Sequence, residues 1–110
     1  MDRRYDVDRR RWSKMNIFEQ MGNIYSEVGR SLDAKQRHDD DGFKQAIFRA
    51  IDLFDATVAY LIEQHSPRAR EVLRAKEVFL EICWGDIGPE ATKSFDRYFM
   101  QFAVAARLAR

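Results

Sequence analysis

Apolar residues along most of this chain recur at steps of three and four, which places them on one face of an α-helix. The first such stretch predicts a helix over residues 16–36, and the second, the most apolar, predicts one over residues 41–64. No strand-like alternation competes with this pattern. The predicted inward positions are Ile17, Met21, Ile24, Tyr25, Val28 and Leu32 in the first, and Phe43, Ala46, Ile47, Ala50, Ile51, Phe54, Val58, Leu61 and Ile62 in the second.

Two prolines mark the starts of two further helices. Ser66 precedes Pro67 and Gly88 precedes Pro89, and proline is well tolerated at the first helical position because the amide hydrogen it lacks has no partner there. The pattern predicts helices over residues 67–84 and 89–108. Their predicted inward positions are Ala69, Val72, Leu73, Phe79, Leu80 and Cys83, and then Ala91, Phe95, Tyr98, Phe99, Phe102 and Ala106.

Polar residues between these stretches indicate where the helices begin. Asn16 followed by Glu19 fits a capping box, although Ser13 is an equally good cap, and the run Asp39 to Asp41 suits the positive end of the second helix. Helices of about 20 residues joined by short connections must double back on one another. We therefore predict an all-α protein, an antiparallel up-down-up-down four-helix bundle in one domain over residues 15–110.

The first 14 residues are basic and lie outside this pattern. Between Asp2 and Lys14, six basic side chains oppose three aspartates, so the segment is +3 and the rest −2 in a chain of net charge +1. We predict a flexible basic arm, and two interpretations of it remain open. It is a solvated tail, or it contacts nucleic-acid phosphates together with basic residues of the third helix. The candidates for such contacts are Arg9, Arg10, Arg11, Arg68, Arg70 and Arg74.

Composition narrows the class of protein. The chain has 110 residues, 45% of them hydrophobic, which is enough for one core. Cys83 is the single cysteine, so an internal disulfide and a cysteine-based zinc site are excluded and a reducing, cytoplasmic location is expected. Since no run of about 18 apolar residues occurs, we expect no membrane partner.

Several charged residues stand close to the predicted core. Lys76 lies within the apolar stripe of the third helix, where its ammonium either reaches a carboxylate at the edge of the bundle or, if buried, becomes a base. Neither His38 nor His65 belongs to a Glu-x-x-His motif, so we assign no metal, cofactor or catalytic residue. A polar cluster is predicted where adjacent helices bring together Asn23, Glu27, Arg30, Arg49, Asp52, Asp55 and Lys76.

A second apolar row follows the third and fourth helices on the face away from the core. If the two rows align, they form a patch of the kind that marks a protein interface, and a homodimer is the simplest assembly. The first helix also carries a strip of small residues, Gly22, Ser26 and Gly29, which predicts close helix packing or a ligand groove. The predicted interface consists of Ala75, Val78, Ile82, Met100, Val104 and Leu108.

Three segments carry a resemblance to other proteins: Met21–Arg30 (MGNIYSEVGR), Arg49–Thr57 (RAIDLFDAT) and Tyr98–Phe102 (YFMQF). They resemble a group of small bacterial helical proteins with no assigned activity, which implies a compact helical domain. The layout also resembles the four-helix-bundle ribosomal intervening-sequence proteins, which implies oligomeric nucleic-acid-binding accessories. A helical RNase class has a similar layout, but this chain lacks its Arg-x4–6-His motif, since Arg30 lies eight residues before His38.

Three functions follow as expectations. The first is an interaction module that self-associates and has no catalytic activity. The second is a nucleic-acid-binding accessory protein that uses the basic arm together with Arg68, Arg70 and Arg74. The third is an enzyme with Glu27, Asp52, Asp55 and Lys76 as acid, base or ligand, although no motif names a reaction class.

Overall fold

Five helices follow one another in the computed structural model, which describes residues 7–85 and 88–108. The short α1 spans Arg9–Trp12, and four long helices follow: α2 (Ile17–Gln36), α3 (Asp40–Glu63), α4 (Arg68–Cys83) and α5 (Pro89–Leu108). The described residues contain no strand, so the prediction of an all-α protein is confirmed. Each long helix begins and ends within one residue of its predicted bounds.

Short polar side chains cap the helix starts. The Asn16 side chain accepts a hydrogen bond from the Glu19 amide at 2.9 Å while the Glu19 carboxylate accepts one from the Asn16 amide at 3.1 Å, so the capping box is present. Asp39 accepts from the Gly42 amide at 3.0 Å at the start of α3. Ser66 accepts from the Arg68 amide at 3.2 Å before α4. These contacts satisfy amides that have no partner inside the helix.

Three residues in the left-handed region of backbone space follow the ends of long helices. His38 (φ 59°) follows α2 and His65 (φ 54°) follows α3. Gly85 (φ 74°) follows α4, and glycine is the residue that adopts this conformation at least cost. The two histidines therefore serve the turns between the long helices.

The core lies between the four long helices and is rich in aromatic side chains. Phe54 of α3 is fully buried, and its ring centroid lies 5.8 Å from that of Phe79 on α4 and 6.2 Å from that of Phe99 on α5. Phe95 and Phe102 extend the cluster along α5. In this arrangement α3 contacts both α2 and α4, and α5 contacts both α2 and α4.

The N-terminal segment differs from the predicted free arm. Arg3 and Arg4 lie outside the described residues, but the second half of the segment contains α1, and Trp12 is buried against α3. The cause is a buried set of hydrogen bonds. Trp12 Nε1 donates to Thr57 Oγ1 at 2.9 Å, and Thr57 Oγ1 donates to Gln20 Oε1 at 2.8 Å. Because Gln20 Nε2 donates in turn to the Trp12 and Met15 carbonyls at 3.2 and 3.0 Å, every side-chain polar group of this network has a partner.

Some residues predicted to face the core lie at the surface instead. Leu73 is 45% exposed and Ile62 is 61% exposed, whereas Ala75, predicted to face outward, is buried. The apolar stripe of α4 is broad, and its buried members are Val72, Ala75, Phe79 and Cys83, so Leu73 lies at the edge of the stripe. Ile62 lies in the last turn of α3, one residue before the helix ends at Glu63. Close packing at the small-residue strip is also wrong, since a Cβ at Gly22 or Gly29 would meet no atom within 4 Å.

We predict that Thr57→Val lowers the free energy of unfolding by about 1–3 kcal/mol, because it leaves the Trp12 indole N–H and the Gln20 carbonyl buried without a partner. Urea denaturation followed by circular dichroism measures the change. The matched control is Thr92→Val, whose hydroxyl bonds only the Gly88 carbonyl of its own turn at 3.4 Å and should matter little. Equal losses in both variants would contradict a stabilising network.

Candidate functional site

The predicted polar cluster is divided between two sides of α3. On the α2 side, Glu27 accepts from Arg30 Nη1 at 2.7 Å and from Arg49 Nε at 3.0 Å, and its side chain is only 13% exposed. Asn23 does not join this group, since its amide donates to the Glu19 carbonyl at 2.8 Å. Glu27 is therefore a charge-compensated link between α2 and α3.

The other half of the cluster lies between α3 and α4. Lys76 Nζ donates to Asp55 Oδ1 at 2.7 Å, and the two side chains are 22% and 40% exposed. Asp55 follows Arg49 by six residues, so the two positions differ by about 120° around the α3 axis. Asp52 is half-buried. Lys76 thus reaches a carboxylate at the edge of the bundle, which is the first of the two interpretations made from the sequence.

Apolar side chains surround this ion pair on the outer surface of α3 and α4. Trp84 is 62% exposed and Phe48 is 38% exposed. Trp84 shares a shallow depression with Ile51, Leu80 and the charged Glu81. On the other side of the ion pair lie the exposed Ile62 and Leu73. We call this surface the α3–α4 face, and its members are Phe48, Ile51, Asp55, Ile62, Leu73, Lys76, Leu80 and Trp84.

Sequence reasoning missed this face although its residues are regularly spaced. Leu73, Lys76, Leu80 and Trp84 recur at i, i+3, i+7 and i+11, which is one row of a helix. The sequence pattern predicts Leu73 and Leu80 as core positions, Lys76 as a charge within the apolar stripe and Trp84 as the end of the helix. The signal was therefore present on α4, but it shows a surface only when the packing of α3 beside it is known.

A groove of about 450 Å³ separates α4 from α5. Ala75, Val78 and Phe95 form its apolar wall, and Glu71 and Arg74 also line it. The Tyr98 hydroxyl is buried at the groove without a hydrogen-bond partner. Burial, reinforced by the Glu71 charge, raises the pKa of Tyr98 to about 12 despite the opposing effect of Arg68.

The two rows of the predicted interface do not align along this groove. Ala75 and Val78 of α4 line it, but on α5 it is lined by Ala91, Ser94, Phe95 and Tyr98. Met100 follows Tyr98 by two residues and so lies about 200° away around α5. The α5 row is exposed on a different side of the molecule, with Met100 51%, Val104 46% and Leu108 81% exposed.

The arginines predicted to bind phosphate differ in whether a carboxylate lies beside them. Arg9, Arg10 and Arg11 are consecutive exposed residues of α1. Arg68 lies 3.7 Å from Glu71 and Arg74 lies 3.2 Å from Glu77, so both have a compensating charge. Arg70 is exposed on the first turn of α4. The unneutralised positive charge is therefore densest on α1.

Cys83 packs in the core, and its thiol is a poor nucleophile. It is buried at the end of α4, where burial raises the pKa of the thiol to about 12 although the Lys35 charge opposes the shift, so the thiol stays protonated at neutral pH. Lys35 donates to the Ile82 and Cys83 carbonyls and so caps α4. Across residues 7–85 and 88–108, no three His, Cys, Asp or Glu side chains are grouped as metal ligands would be.

Comparisons with known proteins add no relative: no protein-family model, no curated protein and no solved structure matches the chain. The resemblances carried by MGNIYSEVGR, RAIDLFDAT and YFMQF stay predictions. In the described part of the chain, no helix combines the length and the apolar character needed to cross a membrane.

We predict that Tyr98→Phe raises the free energy of unfolding by about 1 kcal/mol, because it removes a buried hydroxyl that has no partner. The matched control is Tyr25→Phe, which removes the hydrogen bond from Tyr25 Oη to Asp96 at 3.0 Å and should be slightly destabilising. Urea denaturation at neutral pH compares the two variants. A loss of stability in Tyr98→Phe would show that the hydroxyl has a stabilising partner.

Proposed function

We propose that the chain is a small helical interaction module that self-associates and performs no catalytic step of its own. The observation that carries the proposal is the α3–α4 face, where four large apolar side chains are at least 38% exposed on two neighbouring helices: Phe48, Ile62, Leu73 and Trp84. Contiguous exposed apolar surface of this kind marks protein-binding sites in soluble proteins, because its burial removes apolar area from water. Aromatic residues such as Trp84 are also enriched among interface residues that dominate binding.

The proposal includes an architecture for the module. We infer an antiparallel up-down-up-down bundle of α2, α3, α4 and α5, because each long helix contacts the next along the chain and α5 returns to α2. The short turns at His38 and His65 favour antiparallel neighbours. Such a bundle presents the outer surfaces of α3 and α4 as one rigid face.

The state of the acidic and basic groups supports a non-enzymatic role. Glu27 accepts hydrogen bonds from two arginines and Asp55 accepts one from Lys76, so each carboxylate already has a cationic partner within the chain. The buried, protonated Cys83 thiol is a poor nucleophile. A single buried cysteine also supports the cytoplasmic location expected from the sequence.

We predict that the protein is an oligomer in solution and that Leu73→Asp dissociates it, because a carboxylate on the α3–α4 face cannot be buried against apolar surface. The weakening should be at least tenfold, measured by light scattering from low to high micromolar concentration. Leu73 is 45% exposed, so the variant should retain its helical circular dichroism.

Val104→Asp is the matched control for this experiment, since Val104 is 46% exposed on α5 and lies outside the α3–α4 face. It should leave the solution mass unchanged. Dissociation by Val104→Asp alone would assign the interface to the α5 row that the sequence predicted. A wild-type protein that is monomeric at high micromolar concentration would overturn self-association.

A second candidate function is nucleic-acid binding, favoured by the three consecutive exposed arginines that the buried Trp12 holds on α1. We predict that binding of a labelled RNA or DNA weakens with salt and that the triple variant Arg9→Gln, Arg10→Gln, Arg11→Gln reduces the salt dependence by about three ions. Arg30→Gln, Arg37→Gln is the control for loss of positive charge on α2 and the turn after it. Equal affinity of the triple variant and the wild type would remove α1 from the interaction.

A further inference from the structure

We infer that the partner of the α3–α4 face is a second copy of this chain, related by a twofold axis that runs parallel to the helices and places α3 of each copy on α4 of the other. This inference rests on the proposed function and adds the symmetry and the geometry of the contact between copies. Its basis is the arrangement of charged and apolar side chains across the face.

Apolar side chains of both helices lie on each side of the central ion pair, and Glu81 borders one of these apolar ends. Asp55 and Lys76 pair across its centre, and one turn away Ile51 and Leu80 line the same depression. Phe48 of α3 and Trp84 of α4 extend that apolar end, while Ile62 and Leu73 supply the opposite one. A twofold axis parallel to the helices exchanges left for right at constant height, so apolar residues meet apolar residues at both ends.

The central charges determine which twofold arrangement is favourable. With the axis parallel to the helices, Asp55 lies opposite Lys76 of the second copy and Lys76 lies opposite its Asp55. The four charges then alternate in sign, and each carboxylate has two ammonium neighbours. With the axis perpendicular to the helices and in the plane of the face, Asp55 of one copy would lie opposite Asp55 of the other, and Lys76 opposite Lys76. Like charges would then be in contact.

Burial makes this charge pattern important for specificity. Side-chain exposures of 40% for Asp55 and 22% for Lys76 mean that both groups still contact water in the single chain. An apolar partner surface would strip that water without replacing its hydrogen bonds, which is costly for charged groups. A second copy supplies the missing opposite charges from its own Asp55 and Lys76. At the rim, Arg74 compensates Glu77 at 3.2 Å and so lowers the negative charge beside the contact.

The test uses two single variants with opposite charge. Lys76→Asp makes the centre of the face wholly negative, and Asp55→Lys makes it wholly positive. Each variant alone should self-associate at least tenfold more weakly than the wild type, because every charge contact between its copies is repulsive. An equimolar mixture should form a heterodimer at least as tight as the wild-type dimer, because every charge contact between the two variants is attractive. Native mass spectrometry resolves the three species by mass.

A double variant controls for folding, since each single change also breaks the ion pair within the chain. Asp55→Lys combined with Lys76→Asp restores opposite charges both within and between copies, so it should dimerise as the wild type does. Thermal melting followed by circular dichroism confirms that all four proteins are folded. Added sodium chloride should weaken the wild-type dimer, because salt screens the attraction between opposite charges on the two copies. A dimer that salt strengthens would have like charges in contact, which would overturn the twofold axis parallel to the helices.

The outcomes separate this inference from the proposed function. Wild-type self-association that neither single variant changes would overturn the inference and leave a self-associating module with a different contact. If each single variant is monomeric and their mixture is monomeric as well, the pairing of Asp55 of each copy with Lys76 of the other is overturned. A wild-type protein that is monomeric at high micromolar concentration would overturn both, leaving the face to a different protein.

Discussion

The packing of Phe54 against Phe79 and Phe99 is the contact on which the rest of the structure depends. These three rings join α3 to α4 and α5 at the centre of the core, and Phe54 is completely buried among them. Aromatic rings contribute large buried areas and prefer tilted or edge-on contacts, so they fix the distance and register of the helices they join. Asp55 and Lys76 lie close along the chain to Phe54 and Phe79, and the same packing therefore sets the ion pair on the outer surface.

Buried polar contacts then hold the N-terminal segment and α2 against α3. The hydrogen bonds among Trp12, Thr57 and Gln20 hold the N-terminal segment against α3, and their burial makes each partner necessary. Glu27 links α2 to α3 on the opposite flank through Arg49. Glu27–Arg49 and Asp55–Lys76 thus connect helices, whereas four other ion pairs of the described residues join side chains three or four positions apart.

The α3–α4 face and the α4–α5 groove are two different kinds of surface on one helix. The face combines exposed apolar side chains with a central ion pair. The groove is apolar and holds the unpartnered Tyr98 hydroxyl. An interaction through the face leaves the groove open, because the two surfaces lie on opposite flanks of α4. Self-association and access to the groove are therefore compatible.

The sequence by itself indicated the four long helices, with bounds within one residue, and predicted the Asn16–Glu19 capping box as one of two candidate caps, because periodicity and caps depend on neighbours within one turn. It did not indicate α1. Three features were decided only by the tertiary structure. Trp12 is an anchor because Thr57 lies beside it. Leu73 is exposed because the packing of α4 buries Val72, Ala75 and Phe79 instead. The polar residues form two groups because Arg49 and Asp55 project from different sides of α3. Each depends on contacts between residues far apart in the chain, and local spacing contains no information about which edge of a broad apolar stripe a neighbouring helix will cover.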